Sequence, residues 1–434
     1  MRPFIISSTL FLSCWLPSQA MTLVEAQQGM LANSNQLKAQ NLNVQAQQQR
    51  HQAHRWLASP RIDLEVAGVQ YQKLIEPDLP PPYPDWQYEL NQGGLRAQAK
   101  LVAPIYTGGK ITASQEALRW SSEQAKAEQL QTQDQMTRTL IDSYFGLQLA
   151  KEAEDIYHKS YQLLQEHQHR ASRFADQGMI SQLQSMQAAV AADQSYVRWR
   201  QAQQQRREAE IYFSQLVGQP AQCLATPLQI SAPLDKSSQQ LTLTAMQQHP
   251  GLKKLHALEK ISAEQINIER SQLRPQVFAF AQAELNPHMS PLSEPDWMLG
   301  LGLQVPINTG VSRRQMVQAA ELQNQQVQML QLQAQQDLIM GLEIAEHRLS
   351  HSIQVHELLQ QDLLLAEENA RLQQLAFAAG QATSLELSEA TLQLAVTELE
   401  IAQAKFLHLQ SLADLLLRLG QFEQLSDLLD NTPC

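Results

Sequence analysis

The strongest constraint on the fold of this chain is an internal duplication. The stretch "LVAPIYTGGK" at 101–110 recurs as "LQVPINTGVS" at 303–312, and the two copies are 202 residues apart. Other identities keep the same separation of 202 residues: Gly178 with Gly380, Leu183 with Leu385, Ala188 with Ala390, and Gly218 with Gly420. A separation that holds over so long a span indicates a tandem repeat. The chain must therefore fold as two copies of one structural unit.

The duplication divides the chain into five parts. We predict a signal peptide at 1–20, a first repeat at 21–220, a linker at 221–240, a second repeat at 241–420 and a C-terminal tail at 421–434. Each repeat should contain, in order, a helix, a strand pair, a long helix, a tight turn and a half-length helix. The strand pairs are predicted at 61–103 and 276–305, and the turns near residues 178 and 380.

The N-terminus has the pattern of a secretory signal. Arg2 precedes the apolar stretch "FIISSTLFLSCWL", and Ala20 ends a plausible small-residue cleavage site. Cys14 raises lipidation as an alternative, although "FLSC" is a poor lipidation sequence. Only Cys223 and Cys434 remain after the signal, which is too few for a disulfide framework. The chain is therefore predicted to be exported without a disulfide scaffold.

Composition narrows the class of protein further. The net charge is −11 and basic clusters are absent, which argues against a nucleic-acid partner. Glycine is sparse, at 16 of 434 residues, while Gln and Ala are abundant, and this favours long helices. After residue 20 no run of 18 apolar residues occurs. If the chain crosses a membrane, it must do so as strands.

Each repeat contains two segments with the alternation of a β-strand. Ile62, Leu64 and Val66 alternate with polar or small residues, and "WMLGLGLQVPI" at 297–307 repeats the pattern. A soluble sheet with one buried face would show the same alternation. The export signal favours a membrane location, and so do aromatic residues near the strand ends, as in membrane barrels. These aromatic residues are Tyr71, Trp86, Tyr88 and Trp297.

The first copy carries an enlarged loop between its two strands. Pro60 aligns with Pro275, and these two prolines are farther apart in sequence than the later pairs. The first copy therefore has more residues between Pro60 and Pro104 than the second copy has between Pro275 and Pro306. The insertion includes "EPDLPPPYPDW" at 76–86, whose prolines favour an extended, solvated backbone. We expect this loop to face the cell exterior, where membrane barrels have their longer loops.

The helices are predicted to be very long. Ile105 to Gly178 and Ile307 to Gly380 each span 73 residues without a proline, enough for a helix on the order of 100 Å. Helices of this length cannot share one globular core, so they must pack side by side, with apolar residues spaced 3 and 4 apart. The segments 22–59, 181–217, 241–274 and 383–419 are about half as long, so two end to end would match one long helix.

The repeated decapeptide is interpreted as a strand-to-helix joint. Proline should end the second strand of each repeat and favour a helix start, and Thr-Gly should supply the turn. The joint residues are Pro104, Gly108, Pro306 and Gly310.

Four strands cannot close a barrel in lipid, because the open edges would leave backbone groups without partners. Two chains would give eight strands, whose interior is filled by side chains, whereas three would give twelve and leave room for a duct. A membrane location therefore demands an oligomer.

These features together resemble the TolC-like outer membrane factors of Gram-negative export systems. The resemblance covers residues 22–425 and depends most on the two joints and on two turns, "RFADQGMISQLQSMQA" at 173–188 and "LAFAAGQATSLELSEA" at 375–390. It implies a homotrimer with a 12-stranded β-barrel in outer membrane lipid and a 12-helix α-barrel crossing the periplasm. It also implies a passive duct without enzymatic activity or cofactor. An inner-membrane pump would drive the cargo through a periplasmic adaptor, a membrane fusion protein.

The resemblance assigns roles to the two turns, which would form the periplasmic tip and the docking site of the adaptor. The docking residues would be Gly178, Met179, Ile180 and Ser181 in the first turn, and Gly380, Gln381, Ala382 and Thr383 in the second. Glu386 and Glu389 match acidic residues that line the tip constriction in the family, although they could equally be solvated surface residues. The first copy has Gln184 and Gln187 at these positions. Ala382 replaces the basic residue of some members, which puts a salt-bridged lock in doubt.

Alternative functions are open at this stage. No phosphate-binding loop, nucleophile elbow or Cys-based metal motif occurs. His347 and His351, with His356 and Glu343, have a spacing that could hold a metal ion, but exposed histidines on a polar helix are the ordinary interpretation, and we predict no metal site. His167 and His169 are weaker candidates still. A heavy-metal cation efflux duct is one alternative, and a periplasmic coiled-coil adaptor or scaffold is another, although neither adaptor nor scaffold explains duplicated strand pairs.

Overall fold

The computed structural model describes residues 21–75, 88–220, 223–231, 238–286, 295–307 and 310–420. The predicted signal peptide with Cys14, the enlarged loop at 76–86 with Trp86, and the C-terminal tail with Cys434 lie outside the described residues. Cys223 is described and is exposed.

The described chain is mainly helical, with four strands. The helices are α1 (Leu23–Asn33), α2 (Asn35–His54), a short 3-10 helix (Arg55–Ala58), α3 (Lys110–Asp176), α4 (Gln182–Val217), α5 (Ser238–Gln248), α6 (Pro250–Ser271), α7 (Arg313–Ala378) and α8 (Ser384–Leu419). The strands are β1 (Arg61–Ile75), β2 (Tyr88–Tyr106), β3 (Gln276–Glu284) and β4 (Trp297–Gln304). None of the helices in the described part of the chain combines the length and the apolar character needed to span a membrane.

The long helices form as the sequence predicts. Helix α3 has 67 residues and α7 has 66, and no proline interrupts either. The segments predicted as single helices at 22–59 and 241–274 are instead each divided in two. Ser34, with extended backbone angles, separates α1 from α2, and its hydroxyl accepts a hydrogen bond from the Leu37 N–H. His249 separates α5 from α6, because a residue before proline avoids the helical region and Pro250 then begins the next helix.

The chain forms two compact units. One contains residues 40–129 and 251–334, and therefore the sheet; the other contains the remaining described residues, and therefore both turns. In the first unit the four strands form one antiparallel sheet in the order β1-β2-β3-β4. The strands of each repeat pair with each other, and β2 pairs with β3 to join the repeats.

The two faces of the sheet differ sharply in polarity. One face consists of exposed apolar side chains: Ile62, Leu64, Val66, Leu95, Leu299, Leu301 and Leu303. The opposite face carries charged and amide side chains. Lys100 donates a hydrogen bond of 2.6 Å to Glu65, and Arg96 donates one of 3.0 Å to the buried carboxylate of Glu284. An apolar face opposed to a hydrogen-bonded polar face is typical of a sheet placed between lipid and water.

Two glycines of β4 allow close packing on the polar face. Phe278 lies opposite Gly302, and Phe280 lies opposite Gly300. A Cβ atom on Gly302 would come within 2.4 Å of the Phe278 ring, and one on Gly300 within 3.0 Å of the Phe280 ring. The phenylalanine rings therefore cover the backbone that the glycines leave bare.

The strand-to-helix joints differ from the prediction in one respect. Pro104 does not end its strand, because β2 continues to Tyr106 through a register shift between Pro104 and Tyr106. A bulge accommodates proline inside a strand, since it removes the need for a ladder N–H. In the second repeat β4 ends at Gln304, two residues before Pro306. The following glycines, Gly108 and Gly310, both have positive φ, and a Cβ on Gly108 would lie 2.8 Å from the Ser271 carbonyl.

Candidate functional site

The two turns share one backbone geometry. Gly178 follows α3 with φ of +72°, its N–H donates to the Ala175 carbonyl at 2.9 Å, and the next N–H, of Met179, donates to the Phe174 carbonyl at 2.8 Å. This pair of bonds is a Schellman motif, in which glycine adopts the left-handed conformation at low cost.

The second turn repeats this motif. Gly380 has φ of +73°, and its N–H donates to the Phe377 carbonyl at 3.0 Å, while the Gln381 N–H donates to the Ala376 carbonyl at 2.8 Å. The duplication seen in the sequence is thus preserved in the backbone of both turns.

A hydroxyl residue caps the helix after each turn. Ser181 accepts a hydrogen bond from the Gln184 N–H at 3.3 Å, and Thr383 accepts one from the Glu386 N–H at 3.3 Å. The Glu386 carboxylate in turn accepts from the Thr383 N–H at 2.7 Å, which completes a capping box. The pattern Thr-x-x-Glu was readable in the sequence, but sequence analysis did not identify it.

The capping box gives Glu386 a structural role. The backbone N–H of Thr383, followed by its hydroxyl, holds the pKa of the Glu386 carboxyl below its ordinary value. Glu386 is therefore charged at neutral pH. Glu389, three residues further along α8, is exposed as well. The assignment of both glutamates to a pore constriction stays a prediction.

A small apolar cluster lies directly behind the turns and joins all four helices that meet there. This tip cluster consists of Ala171 of α3, Ala188 of α4, Phe377 of α7 and Leu387 of α8, with Phe174, Ile180 and Ala382 packed against it. The rings of Phe174 and Phe377 stack with their centroids 5.9 Å apart. The residue at 382 thus contributes apolar packing, where a basic residue would introduce charge.

A residue that sequence analysis set aside lies next to the tip cluster. His167 of α3 is 4% exposed, and its Nε2 atom lies 2.7 Å from the hydroxyl of Ser384, the first residue of α8. Its ring packs edge-on against the Phe377 ring, and the two ring centroids are 4.6 Å apart. Only the fold brings His167 to Ser384, since 217 residues separate them in sequence.

The histidines considered as metal ligands are not assembled into a metal site in the described structure. His347 and His351 are exposed on α7, and His356 is partly buried. Among the residues that the structure describes, no three His, Cys, Asp or Glu side chains come together in a way that could hold a metal ion.

Two rows of apolar side chains remain uncovered on the helices that flank the turns. The α4 row consists of Leu183, Met186, Val190, Val197 and Ile211, all exposed. The α7 row consists of Ile344, Leu358, Leu365, Leu372 and Leu375, also exposed. Since α4 packs on α3 through Trp199, which stacks on Tyr161 at 5.6 Å, the α4 row lies on another face of its helix.

The two rows follow the same spacing outward from their turns. Leu183 is as far along the chain from Gly178 as Leu375 is from Gly380, and Met186 and Leu372 form a second pair of this kind. For the other members of both rows, the number of positions between the residue and its own turn glycine belongs to this same series of distances. Its steps alternate between 3 and 4, which is the spacing of a coiled-coil seam.

The fold matches solved structures of membrane proteins, and outer membrane channels are among them. VceC of Vibrio cholerae matches with a TM-score of 0.77 and 14% identity, over 92% of this chain and 96% of that one. CusC matches with a TM-score of 0.77 and 15% identity, over 92% of both chains. The open state of MtrE of Neisseria gonorrhoeae matches with a TM-score of 0.74 and 17% identity, over 92% of this chain and 89% of that one. No curated protein sequence matches the chain.

A family model identifies the chain itself. The model of the outer membrane efflux proteins matches residues 27–219 and 241–421, which is most of the chain. The chain belongs to the outer membrane efflux protein family. Its place is the outer membrane, from which it extends into the periplasm.

Proposed function

We propose that three copies of this chain form the outer membrane duct of a tripartite export system, of the multidrug-efflux or type I secretion kind. The duct is passive: an inner-membrane pump supplies the energy, and a periplasmic adaptor connects pump and duct. The observation that carries the proposal is the match between the α4 row and the α7 row. Both rows are exposed apolar surfaces. The side chains of each row have the spacing that is needed to pack against the side chains of the other.

The rows fit a contact between neighbouring copies. Helix α7 runs toward its turn and α4 runs away from its turn, so the α4 of one copy can lie antiparallel to the α7 of the next. With the turns at the same level, Leu183 meets Leu375 and Met186 meets Leu372. The contact uses different surfaces of the two copies, and such heterologous contacts close into a ring when the rotation allows it.

Ring closure would also solve the problem of the sheet edges. Strands β1 and β4 are the outer strands of the sheet within one chain. An unpaired strand edge in lipid leaves N–H and C=O groups without partners, which costs several kcal/mol per group. Three copies would pair β4 of one chain with β1 of the next and form a barrel of twelve strands, wide enough for a lumen. The apolar sheet face would then contact lipid, and the polar face with Glu65, Lys100 and Glu284 would line the lumen.

The alternatives weighed from the sequence are less well supported. A periplasmic adaptor or scaffold does not account for membership of the outer membrane efflux protein family. A heavy-metal duct would be favoured by a metal site, but among the described residues His347 and His351 gain no third ligand. Since the pump selects the cargo in such systems, we do not choose between multidrug efflux and type I secretion.

We further propose that Glu386 and Glu389 form a charged ring at the narrowest part of the duct. Three copies would bring six carboxylates around one axis, and their field would attract cations. The double variant Glu386→Gln, Glu389→Gln should reduce cation selectivity and block by divalent ions in single-channel recordings. Its fold should survive, because glutamine also serves at the third position of a capping box.

The control for this experiment is Glu357→Gln, which changes an exposed glutamate of α7 that lies well before the second turn in the sequence. It should conduct like the unmodified channel. A double variant with unchanged selectivity and unchanged divalent block would place the constriction elsewhere.

The adaptor is proposed to dock at the two turns. An added Cβ at Gly178 or Gly380 would meet no atom within 4 Å, so a substitution acts through the backbone alone. Valine disfavours positive φ strongly, whereas asparagine tolerates it. Gly178→Val and Gly380→Val should therefore lower export and adaptor cross-linking in cells, with trimers still present in the outer membrane. The matched Asn variants should retain both activities, and normal export by both Val variants would contradict docking at the turns.

A further inference from the structure

His167 lies where the helix pair that flanks the first turn, α3 and α4, meets the pair that flanks the second turn, α7 and α8. It lies on α3, and its Nε2 atom is 2.7 Å from the Ser384 hydroxyl and 3.3 Å from the Ser384 carbonyl oxygen of α8. The same carbonyl accepts a hydrogen bond of 2.9 Å from the Ser388 hydroxyl. The Phe377 ring of α7 covers the imidazole from the side. One buried side chain thus connects three of the four helices behind the turns.

The burial of the imidazole favours its neutral form. The Nδ1 atom is buried and has no hydrogen-bond partner. An unfilled acceptor is less costly there than an unpaired N–H, so the proton belongs on Nε2, which donates to Ser384. A second proton would create an unpaired buried N–H on Nδ1. It would also place a positive charge at the N-terminal end of α8, where the helix dipole is positive.

The charged residues around His167 do not compensate for the cost of protonating its imidazole. A cavity of about 290 Å³ adjoins the imidazole, and its ionisable lining residues are Glu166 and Arg170 of α3 and Glu367 and Arg371 of α7. Arg170 pairs with Glu166 at 3.3 Å, and Arg371 pairs with Glu368 at 2.7 Å. The α8 residues that line the cavity, Leu387, Thr391 and Leu394, do not ionise. Burial is the largest cause and lowers the pKa of His167; the hydrogen bond with the Ser384 backbone opposes this by raising the pKa, and the charge of Arg170 lowers it further.

We propose that His167 is a proton-operated latch of the tip: as a neutral group it fastens α3 to the start of α8, and its protonation at acidic periplasmic pH releases the two helix pairs from each other. The latch rests on the proposed function in one respect, namely that the narrowest part of the duct lies at the turns, so that parting the helices there would widen it.

The direction of the pH effect follows from linkage. In the packed tip the pKa of His167 is lowered, whereas in a parted tip the solvated imidazole regains a pKa near 6.5. The parted state therefore binds more protons, and it gains population as the pH falls below about 6.5. Each histidine can shift the equilibrium by up to about tenfold per pH unit until the packed state is protonated as well.

Hydrogen exchange measured by mass spectrometry on the full-length protein in detergent tests the latch without any conductance measurement. The segments to follow are 163–176 of α3 and 384–394 of α8. His167→Phe and His167→Gln remove the titration, and the glutamine keeps a donor for Ser384. His169→Gln is the matched control, because His169 is exposed two residues away. Comparison of variants at the same pH cancels the intrinsic pH dependence of exchange.

We expect protection of both segments to fall several-fold between about pH 7.5 and pH 5.5 in the unmodified protein and in His169→Gln, and to stay level in both His167 variants. Parallel behaviour of all four proteins would overturn the latch.

Single-channel recordings then separate the latch from the duct. A loss of protection without a change in conductance would support the latch but contradict a constriction at the tip. An acid-induced conductance that persists in both His167 variants would overturn control of the pore by His167.

Discussion

Leu365→Glu is expected to convert the proposed trimer into monomers. Leu365 belongs to the α7 row and is 71% exposed in the single chain. It precedes Gly380 by the same number of positions by which Asp193 of α4 follows Gly178. In the proposed contact Leu365 of one copy therefore meets Asp193 of the next. A glutamate at 365 would remove the burial of the leucine side chain in the seam, worth about 2 kcal/mol, and would face the like charge of Asp193. Both effects occur at all three contacts of the ring.

The chain supplies a close control for this experiment. Leu364 is 67% exposed on the same helix but is not part of the α7 row. Leu364→Glu should leave the trimer intact in native mass spectrometry. Two monomeric variants would mean that any charge on this part of α7 prevents assembly, and two trimeric variants would contradict the contact.

A charge reversal on α4 tests the register of the contact. Adding Asp193→Arg to Leu365→Glu should restore the trimer, because the like charges become an ion pair across the seam. Asp193→Arg alone should assemble, since an arginine stem can pack along the leucine. A double variant that remains monomeric, beside a trimeric Leu364→Glu, would show that the turns of neighbouring copies are not level.

The repeat, the turns and the long helices could be predicted because each has a local cause. Gly178 and Gly380 stand where φ is positive, and the absence of proline from α3 and α7 permits helices of 67 and 66 residues. The alternation of the strands also identified the apolar face before the structure showed it. All of these signals act within a few residues along the chain.

The differences arise where the fold combines distant segments or where two local rules compete. Pro104 ends a strand by its own preference, but pairing with Phe278 of the second repeat extends β2 to Tyr106 through a bulge. The division of α5 from α6 follows from Pro250 and could have been predicted, whereas the division at Ser34 has no comparable signal. The contact of His167 with Ser384 is long-range, so no pattern in the sequence marks it. The constriction and the docking residues stay predictions, since they concern contacts between chains.

A second buried histidine is expected to make the protein sensitive to acid. His408 of α8 is 1% exposed, and its Nε2 atom accepts a hydrogen bond of 3.1 Å from the Ser231 N–H. A backbone N–H can only donate, so the histidine proton belongs on Nδ1, which lies 3.0 Å from the Ser352 hydroxyl of α7. That hydroxyl donates in turn to the Leu349 carbonyl at 2.7 Å. The neutral ring is fully satisfied, and it joins α7, α8 and the segment 223–231.

Protonation would remove the acceptor for Ser231. Burial, followed by the charge of His356, lowers the pKa of His408 to about 4, whereas the unfolded chain has an ordinary value of 6.5. Between these two values only the unfolded state binds the proton, so stability is present above pH 6.5 and is lost as the pH falls toward 4. The loss amounts to about 3 kcal/mol per chain.

His408→Gln isolates this contribution, because glutamine offers one acceptor and one donor of similar reach but does not titrate. In urea unfolding of the detergent-solubilised protein, the unmodified chain should be the more stable at pH 7.5, and its advantage should shrink by about 3 kcal/mol by pH 4. The exposed His169→Gln should follow the unmodified protein throughout. Stability curves of the unmodified protein and His408→Gln that stay parallel over this range would show that His408 is not the acid-sensitive group.

The same series separates the two buried histidines, because His408 holds a complete hydrogen-bond network and its loss lowers global stability. His167 has an unfilled Nδ1 at the tip, and its protonation is expected to part the helix pairs locally.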